Sequence, residues 1–334
     1  MDFKKISQYL VSVGIAAGLL YWVFKDIALA DLLAKFQEAD YRWVLLAAIL
    51  QLAAHVSRAY RWKIMLQPIG YQTSTYRATL AVLVGYFLNL VLPIPRAGEL
   101  ARCGSLSKME GVPFEKSFGA VVAERIVDLL VLLLLIGLNL ALEFGRISQF
   151  FFEIMGDKFK NPMALLGLGT IFLLVVLLGY FLFQKKKQAI LAMPILQKVI
   201  GFLGGVWEGF NGIRRLKNPS VFIFHTLAIW VLYYFTTYFL CQALPETSAL
   251  SFLAVLTILV MGTIGMAAPT VGGIGSYHFF VGKIVVLYGL SQANGIALAT
   301  FLHTIIGLVL VVIFGLAGFL LASFAPSRDS SSRL

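Results

Sequence analysis

Charge, cysteine and histidine are all scarce in this 334-residue chain. Only 13% of residues are Asp, Glu, Lys or Arg, whereas 60% are hydrophobic. Soluble domains carry roughly a quarter charged residues. That shortfall, combined with apolar runs long enough to cross a bilayer, excludes a soluble globular fold. Two cysteines, Cys103 and Cys241, are too few for a disulfide framework and lack the spacing of a zinc site. The four histidines form no HExxH pair, and there is no Walker loop, GxSxG elbow or dinucleotide fingerprint. No cofactor or metal is therefore expected. Acids number 16 against 27 bases, a formal net charge of +11. The excess falls in short loops between apolar runs, with no separable basic domain. Membrane lipids, anionic phospholipid above all, are thus the expected partners, and nucleic acid is not.

The apolar runs predict spans near 6–24, 43–57, 78–94, 118–142, 163–183, 220–243, 250–268 and 292–323. No Ala-x-Ala-like site follows the first run, so it reads as an uncleaved helix and not as a signal peptide. The expected fold is an all-α integral membrane protein of about eight transmembrane helices plus two half-helix segments, near 97–110 and 275–289. Residues 1–325 form one polytopic domain, and 326–334 a short disordered cytoplasmic tail. Lys4 and Lys5, then Arg58, Arg61, Lys63 and Arg77, then the basic segment 184–217 mark the cytoplasmic side, whereas 25–42 and 143–161 balance bases with acids. The lysine and arginine bias places both termini in the cytoplasm. Trp22, Trp43, Trp62, Trp207 and Trp230 suit an aromatic belt at the span ends.

Two interruptions stand out. Leu92-Pro93-Ile94-Pro95-Arg96-Ala97-Gly98-Glu99-Leu100-Ala101-Arg102 places two prolines, a glycine and three charges directly after an apolar run. Ala268-Pro269-Thr270-Val271-Gly272-Gly273-Ile274-Gly275 breaks a second run. Lipid tolerates broken backbone and charge only where protein or a water-filled cavity covers them. Pro93, Pro95, Gly98, Pro269, Gly272, Gly273 and Gly275 are accordingly candidate gates built from broken helices. Each break is followed by a short helix, a Gly turn and a long helix. A shift of 178 residues lays Gly111 on Gly289 and Arg125 on His303. The implied inverted repeat has units at about 78–142 and 250–323, an arrangement common among secondary transporters.

Glu124, Arg125 and Asp128 lie early in the fourth long span, at spacings that share one helical face. Arg125 with Asp128 is the expected ion pair, and Arg96 and Arg102 are the nearest cations for Glu124. Arginine forks suit a phosphate bidentately, so Arg96, Arg102 and Arg125 are candidate headgroup contacts, with Glu99, Glu124 and Asp128 pairing them or meeting a cation. His278 and His303 are the polar candidates of the second unit, able to bond a phosphate or to pack as ordinary helix residues. Half-helix N-termini would add free amides. His55 and His225 read as structural.

With these residues in place, the chain resembles the transmembrane-region family of lysylphosphatidylglycerol synthases, or flippase-like membrane proteins, over roughly 10–320. The likeness rests on Arg58-x-x-Arg61-Trp62, Asn89-x-x-x-Pro93-x-x-Arg96-x-Gly98-Glu99-x-x-Arg102, Glu124-Arg125-x-x-Asp128 and Pro269-x-x-Gly272-Gly273-x-Gly275. In the last motif Val271 replaces a usual proline, and His278 stands where a glutamate is frequent. The resemblance implies a lipid flippase-like transporter in a bacterial cytoplasmic membrane. With nothing following residue 334, the synthase domain of bifunctional relatives is expected to be absent and the chain is expected to be no enzyme. The alternatives are an accessory membrane subunit serving a partner enzyme of lipid or glycan modification, and a membrane-embedded lipid-modifying transferase.

Overall fold

The computed structural model describes residues 29–92, 97–155, 207, 215–268 and 270–324. The expected spans at 6–24 and 163–183, most of the basic segment 184–217, the tail 326–334, and Pro93, Pro95, Arg96 and Pro269 lie outside the described residues. Every long element among the described residues is helical. In chain order these are α1 (Leu29–Gln37), α2 (Tyr41–Leu66), α3 (Thr75–Val91), α4 (Ala97–Glu110), α5 (Phe114–Met155), α6 (Pro219–Ala243), α7 (Phe252–Ala267), α8 (Ser276–Ile284), α9 (Gln292–Leu302) and α10 (Leu310–Phe324). A π-helical segment, His303–Val309, joins α9 to α10.

Side-chain caps fix several starts. The Arg42 amide donates to Asp40, that of Arg77 to Ser74, that of Ala254 to Ser251 and that of Asn294 to Ser291, at 3.0–3.2 Å. Each cap satisfies a first-turn amide that the helix cannot.

Among the described residues, four stretches are long and apolar enough to cross a membrane: Tyr41–Ile69, Phe114–Gln149, Pro219–Ala243 and Gln292–Phe324. They take up the expected spans at 43–57, 118–142, 220–243 and 292–323. The expected spans at 78–94 and 250–268 differ. Their helices, α3 and α7, have 17 and 16 residues. At 1.5 Å per residue that is ~25 Å, short of a ~30 Å hydrocarbon core. Each doubles back on its successor, α3 on α4 and α7 on the segment Ser276–Tyr288. The two short helices are arms of hairpins, and the half-helices predicted near 97–110 and 275–289 are their second arms.

Small residues make the hairpins tight. A side chain added at Gly98 would strike the Gly85 carbonyl and Asn89, and one added at Gly265 would meet Tyr277 and Ser276 backbone within 3.1 Å. The amide of Gly98, the second residue of α4, donates to Asn89 Oδ1 at 2.7 Å, which occupies one of the first-turn amides expected to be free for an anion. The second turn runs through Gly272, Gly273 and Gly275, all with φ between 60° and 83°, a region that only glycine occupies freely.

Each hairpin has its own core. Trp62, Met65, Leu106 and Val121 pack around the first, and Leu240, Ile258, Ile284 and Phe301 around the second. The placement of Trp62 departs from the expected aromatic belt, because its indole is fully buried.

The helices of the two units begin at Thr75, Ala97 and Phe114, and at Phe252, Ser276 and Gln292, which are offsets of 177, 179 and 178 residues. Gly111 and Gly289, both at positive φ, end the second arms. The first arm of each hairpin leans on the long helix of the other unit. Phe87 and Leu83 of α3 press on Gly315 and Gly318 of α10, and Thr257 of α7 accepts from Asn139 of α5 at 2.8 Å.

Two glycines of α4 give a contrast. Gly98→Ala is expected to destabilise the protein by ~1–3 kcal/mol through overpacking. Gly104→Ala, which would meet nothing within 4 Å, is expected to be neutral or to stabilise by up to ~1 kcal/mol. Thermal unfolding of the two variants in one detergent checks the order.

Candidate functional site

The charged residues of the membrane interior converge on Glu124, whose side chain has no exposure. Glu124 and Asp128 stand one turn apart on α5. Arg58 and Arg61, three residues apart on α2, meet both. Arg58 Nη1 lies 2.5 Å from Glu124 Oε1 and 3.1 Å from Asp128 Oδ2. Arg61 Nη2 lies 2.7 Å from Asp128 Oδ1 and 3.5 Å from Glu124 Oε1. Arg102 of α4 donates to Glu124 through both Nη atoms, at 2.8 and 3.4 Å, and its guanidinium stacks over the Trp62 ring at 4.1 Å. Hydrogen bonds from Arg61 to Thr226 (3.2 Å) and from Arg58 to Tyr233 (3.3 Å) bring in α6. Seven side chains thus tie four helices around buried charges, where leaving one unpaired costs several kcal/mol.

Two sequence expectations are corrected here. Arg58 and Arg61 were read as cytoplasmic loop residues, but α2 runs unbroken to Leu66 and both are buried. Their desolvation is offset by the carboxylates of Glu124 and Asp128. The available signal was their spacing of three, which puts both on one helical face directly after an apolar run with no breaker between. Arg125 was paired with Asp128, yet its closer partner is Glu99, at 2.8 Å from Nε, and Asp128 lies at 3.7 Å. The expected pairing of Glu124 with Arg102 is present. Arg102 is buried, and both of its Nη atoms donate to Glu124.

Beside the network lies a cavity of about 420 Å³. Arg58, Arg125 and Asp128 form one wall, Tyr86, Trp230 and Tyr233 a second, and Met266, Tyr277 and His303 a third. Of the sequence-predicted residues, Arg125, Asp128 and His303 line it. Glu99 and Glu124 stand behind the first wall, holding its arginines. His303 donates from Nε2 to the Gly272 carbonyl at 3.0 Å, tying the turn of the second hairpin to the start of the π-helical segment. His278 packs against the His303 ring with centroids 5.0 Å apart. Gly273 and Gly275 shape that turn, whereas Pro93, Pro95, Arg96 and Pro269 lie outside the described residues. The aromatic members Tyr86, Trp230, Tyr233 and Tyr277 were not singled out as site residues by sequence. Only tertiary packing distinguishes them from the many other aromatics of the chain.

Removing one partner from the network should therefore cost far more than removing the residue at its edge. Glu124→Gln strands Arg58 and Arg102 and is expected to destabilise by ~3–5 kcal/mol. Arg125→Gln, at a side chain 38% exposed, is expected to cost under ~1 kcal/mol. Thermal unfolding of both variants in detergent checks the ranking.

Comparison with known proteins places this architecture. The family described as the lysylphosphatidylglycerol synthase TM region matches residues 9–315. A UPF0104 membrane protein of Methanocaldococcus jannaschii is 25% identical over 259 residues, 70% of this chain and 74% of that one. Another, from Pyrococcus horikoshii, is 23% identical over 342 residues, 92% and 97% of the two chains. Glycosyltransferase AglD of Haloferax volcanii is 29% identical over 137 residues, 38% of this chain and 21% of its own length. These three relatives are archaeal. No solved structure matches. The chain is a multi-pass membrane protein, and it belongs to the lysylphosphatidylglycerol synthase TM-region family.

Proposed function

We propose that the chain is a flippase-like transporter that moves a phospholipid or a lipid-linked headgroup between the leaflets of a cytoplasmic membrane. The observation that carries this reading is the cavity itself, which is lined by half-buried Arg125 of the first unit and by Met266, Tyr277 and His303 of the second. The two hairpins, with helix starts offset by 177 to 179 residues and first arms exchanged between units, are read as an inverted repeat. In such folds the substrate site lies at the repeat interface, and broken helices rock around it. Arg125 and His303, equivalent under the 178-residue shift, both face the cavity. Arg125 contacts the headgroup phosphate in this reading, Glu99 orients Arg125, and the two breaks act as gates. His303, bonded to Gly272, holds the second gate.

The partial similarity to a glycosyltransferase favours a second reading, an accessory subunit that presents a lipid to an enzyme of glycan or lipid modification. Purified protein reconstituted alone into vesicles separates the two. The transport reading expects a labelled phospholipid to reach the opposite leaflet at least about tenfold faster than in empty vesicles, with Arg125→Ala losing most of that rate, equivalent to ~1.4 kcal/mol or more. Background-level exchange of every lipid tested contradicts transport and leaves the accessory role.

A further inference from the structure

We infer that the cavity opens sideways into the bilayer between α5 and α7, and that this slot seats an acyl chain of the lipid whose phosphate meets Arg125. The inference rests on the transport reading for its setting, but it concerns where the lipid's tail lies and not whether the lipid moves.

Exposure locates the mouth. Among the described residues that line the cavity, the exposed ones are Leu129 of α5, at 54%, and Met266, at 45%, with Ala267 at the end of α7. The other lining residues are buried or half-buried. The two helices that form the mouth are neighbours, and they are pinned together further along, where Asn139 donates to Thr257 at 2.8 Å. Thr257 is itself held by Tyr288 at 2.7 Å and by the Leu253 carbonyl at 3.0 Å. The slot is therefore open at Leu129 and Met266 and shut at Asn139 and Thr257. Leu130, Leu133 and Leu134 beside the mouth are 54% to 72% exposed. Such a continuous apolar surface on a membrane-spanning helix faces lipid, so the mouth gives onto hydrocarbon and not onto water.

Polarity along the slot identifies its occupant. On the α5 side Arg125, Leu129 and Leu132 line the cavity at spacings of four and three, which puts them on one helical face. From Leu129 to Leu142 no residue of α5 is charged. On the α7 side stand Met266, Thr263 and Leu259, and the Thr263 hydroxyl is turned to the Leu259 carbonyl of its own helix at 2.7 Å. A wall that passes from a guanidinium to leucine within one turn has the polarity of a phospholipid read from its phosphate to its chains. Arg125 and Asn139 are fourteen residues apart, ~21 Å along the helix, and one leaflet of hydrocarbon is ~15 Å deep. The slot is long enough for a chain. A cavity of about 420 Å³, toward the lower end of the ~300–1,000 Å³ range for ligand pockets, holds a headgroup and not a whole lipid. A lipid held by its phosphate at Arg125 therefore keeps its tails outside, and the mouth is where they leave.

The test is photo-crosslinking of the full chain in nanodiscs by phosphatidylglycerol with a diazirine midway along one acyl chain. Diacylglycerol with the same chain and no phosphate is the control, and labelled residues are mapped by peptide mass spectrometry. The phospholipid is expected to label Leu129, Leu259 and Met266 at least about tenfold more than the control does, the preference that one charge-assisted hydrogen bond confers. Leu134 and Ile223, exposed apolar residues that do not line the cavity, are expected to take both probes alike. In Arg125→Gln the labelling at the mouth falls to the control level, and Leu129→Trp, a change at an exposed position, removes it from Leu259. Equal labelling of the mouth by the two probes overturns the inference. So does phospholipid labelling unchanged in a folded Arg125→Gln protein, or labelling of Leu134 and Ile223 without Leu129, Leu259 and Met266. Because labelling is read without transport, background exchange in the vesicle assay leaves a positive result standing. Equal labelling by the two probes removes the slot and leaves a positive vesicle rate untouched.

Discussion

A carboxylate that no water reaches cannot stay charged in a membrane unless cations are brought to it. Glu124 has no exposed surface, and the rest of the arrangement follows from its neutralisation. Its cations come from two helices, Arg58 and Arg61 from α2 and Arg102 from α4. That requirement holds α2 and the second arm of the first hairpin against α5 and draws α6 in through Thr226 and Tyr233. Replacing such a cluster with apolar residues need not destabilise a fold, whereas removing one member does. Its consequence here is geometric. With three arginines locked, Arg125 is left at the edge, half exposed to a cavity and steadied by Glu99.

The hairpins supply the rest of the setting. The short helices α3 and α7 each pack along the helix that follows, so each hairpin is a two-helix unit. Their tightness comes from glycine, at Gly85 and Gly98 in the first and at Gly262 and Gly265 in the second. The units match in length and in backbone turns more closely than in chemistry. The counterparts of Glu124 and Asp128 under the 178-residue shift are Leu302 and Ile306, and only Arg125 has a polar counterpart, His303. One unit holds the charge, while the other presents Thr263, Tyr277 and a histidine bonded to its own turn. The cavity between them is accordingly asymmetric.

Much of this was legible in the residues. Apolar run length gave the long helices, and the glycines of the second cluster, Gly272, Gly273 and Gly275, marked the turn of the second hairpin. The charge at Glu124, Arg125 and Asp128 marked the polar centre. What the sequence misassigned has a common cause. Arg58 and Arg61 were counted as loop cations because a charge after a mostly apolar run looks like a membrane exit. They are interior residues because their partners arrive 66 to 70 positions later. Trp62 was assigned to an interface for the same reason and instead packs beneath Arg102. Tyr86, Trp230, Tyr233 and Tyr277 had no local signature, since in a chain of 27 phenylalanines and 13 tyrosines only packing singles out a few.

The central claim is that a locked arginine network leaves Arg125 as the cation that receives a lipid phosphate. An experimental structure of the full chain in a lipid nanodisc tests it most directly. The account predicts headgroup density in the cavity, with phosphate oxygens about 2.7–3.2 Å from the Arg125 guanidinium, and Arg58, Arg61 and Arg102 still on Glu124 and Asp128. Phosphate bound to any of those three arginines, or a cavity filled by acyl chain with Arg125 turned away, would contradict it.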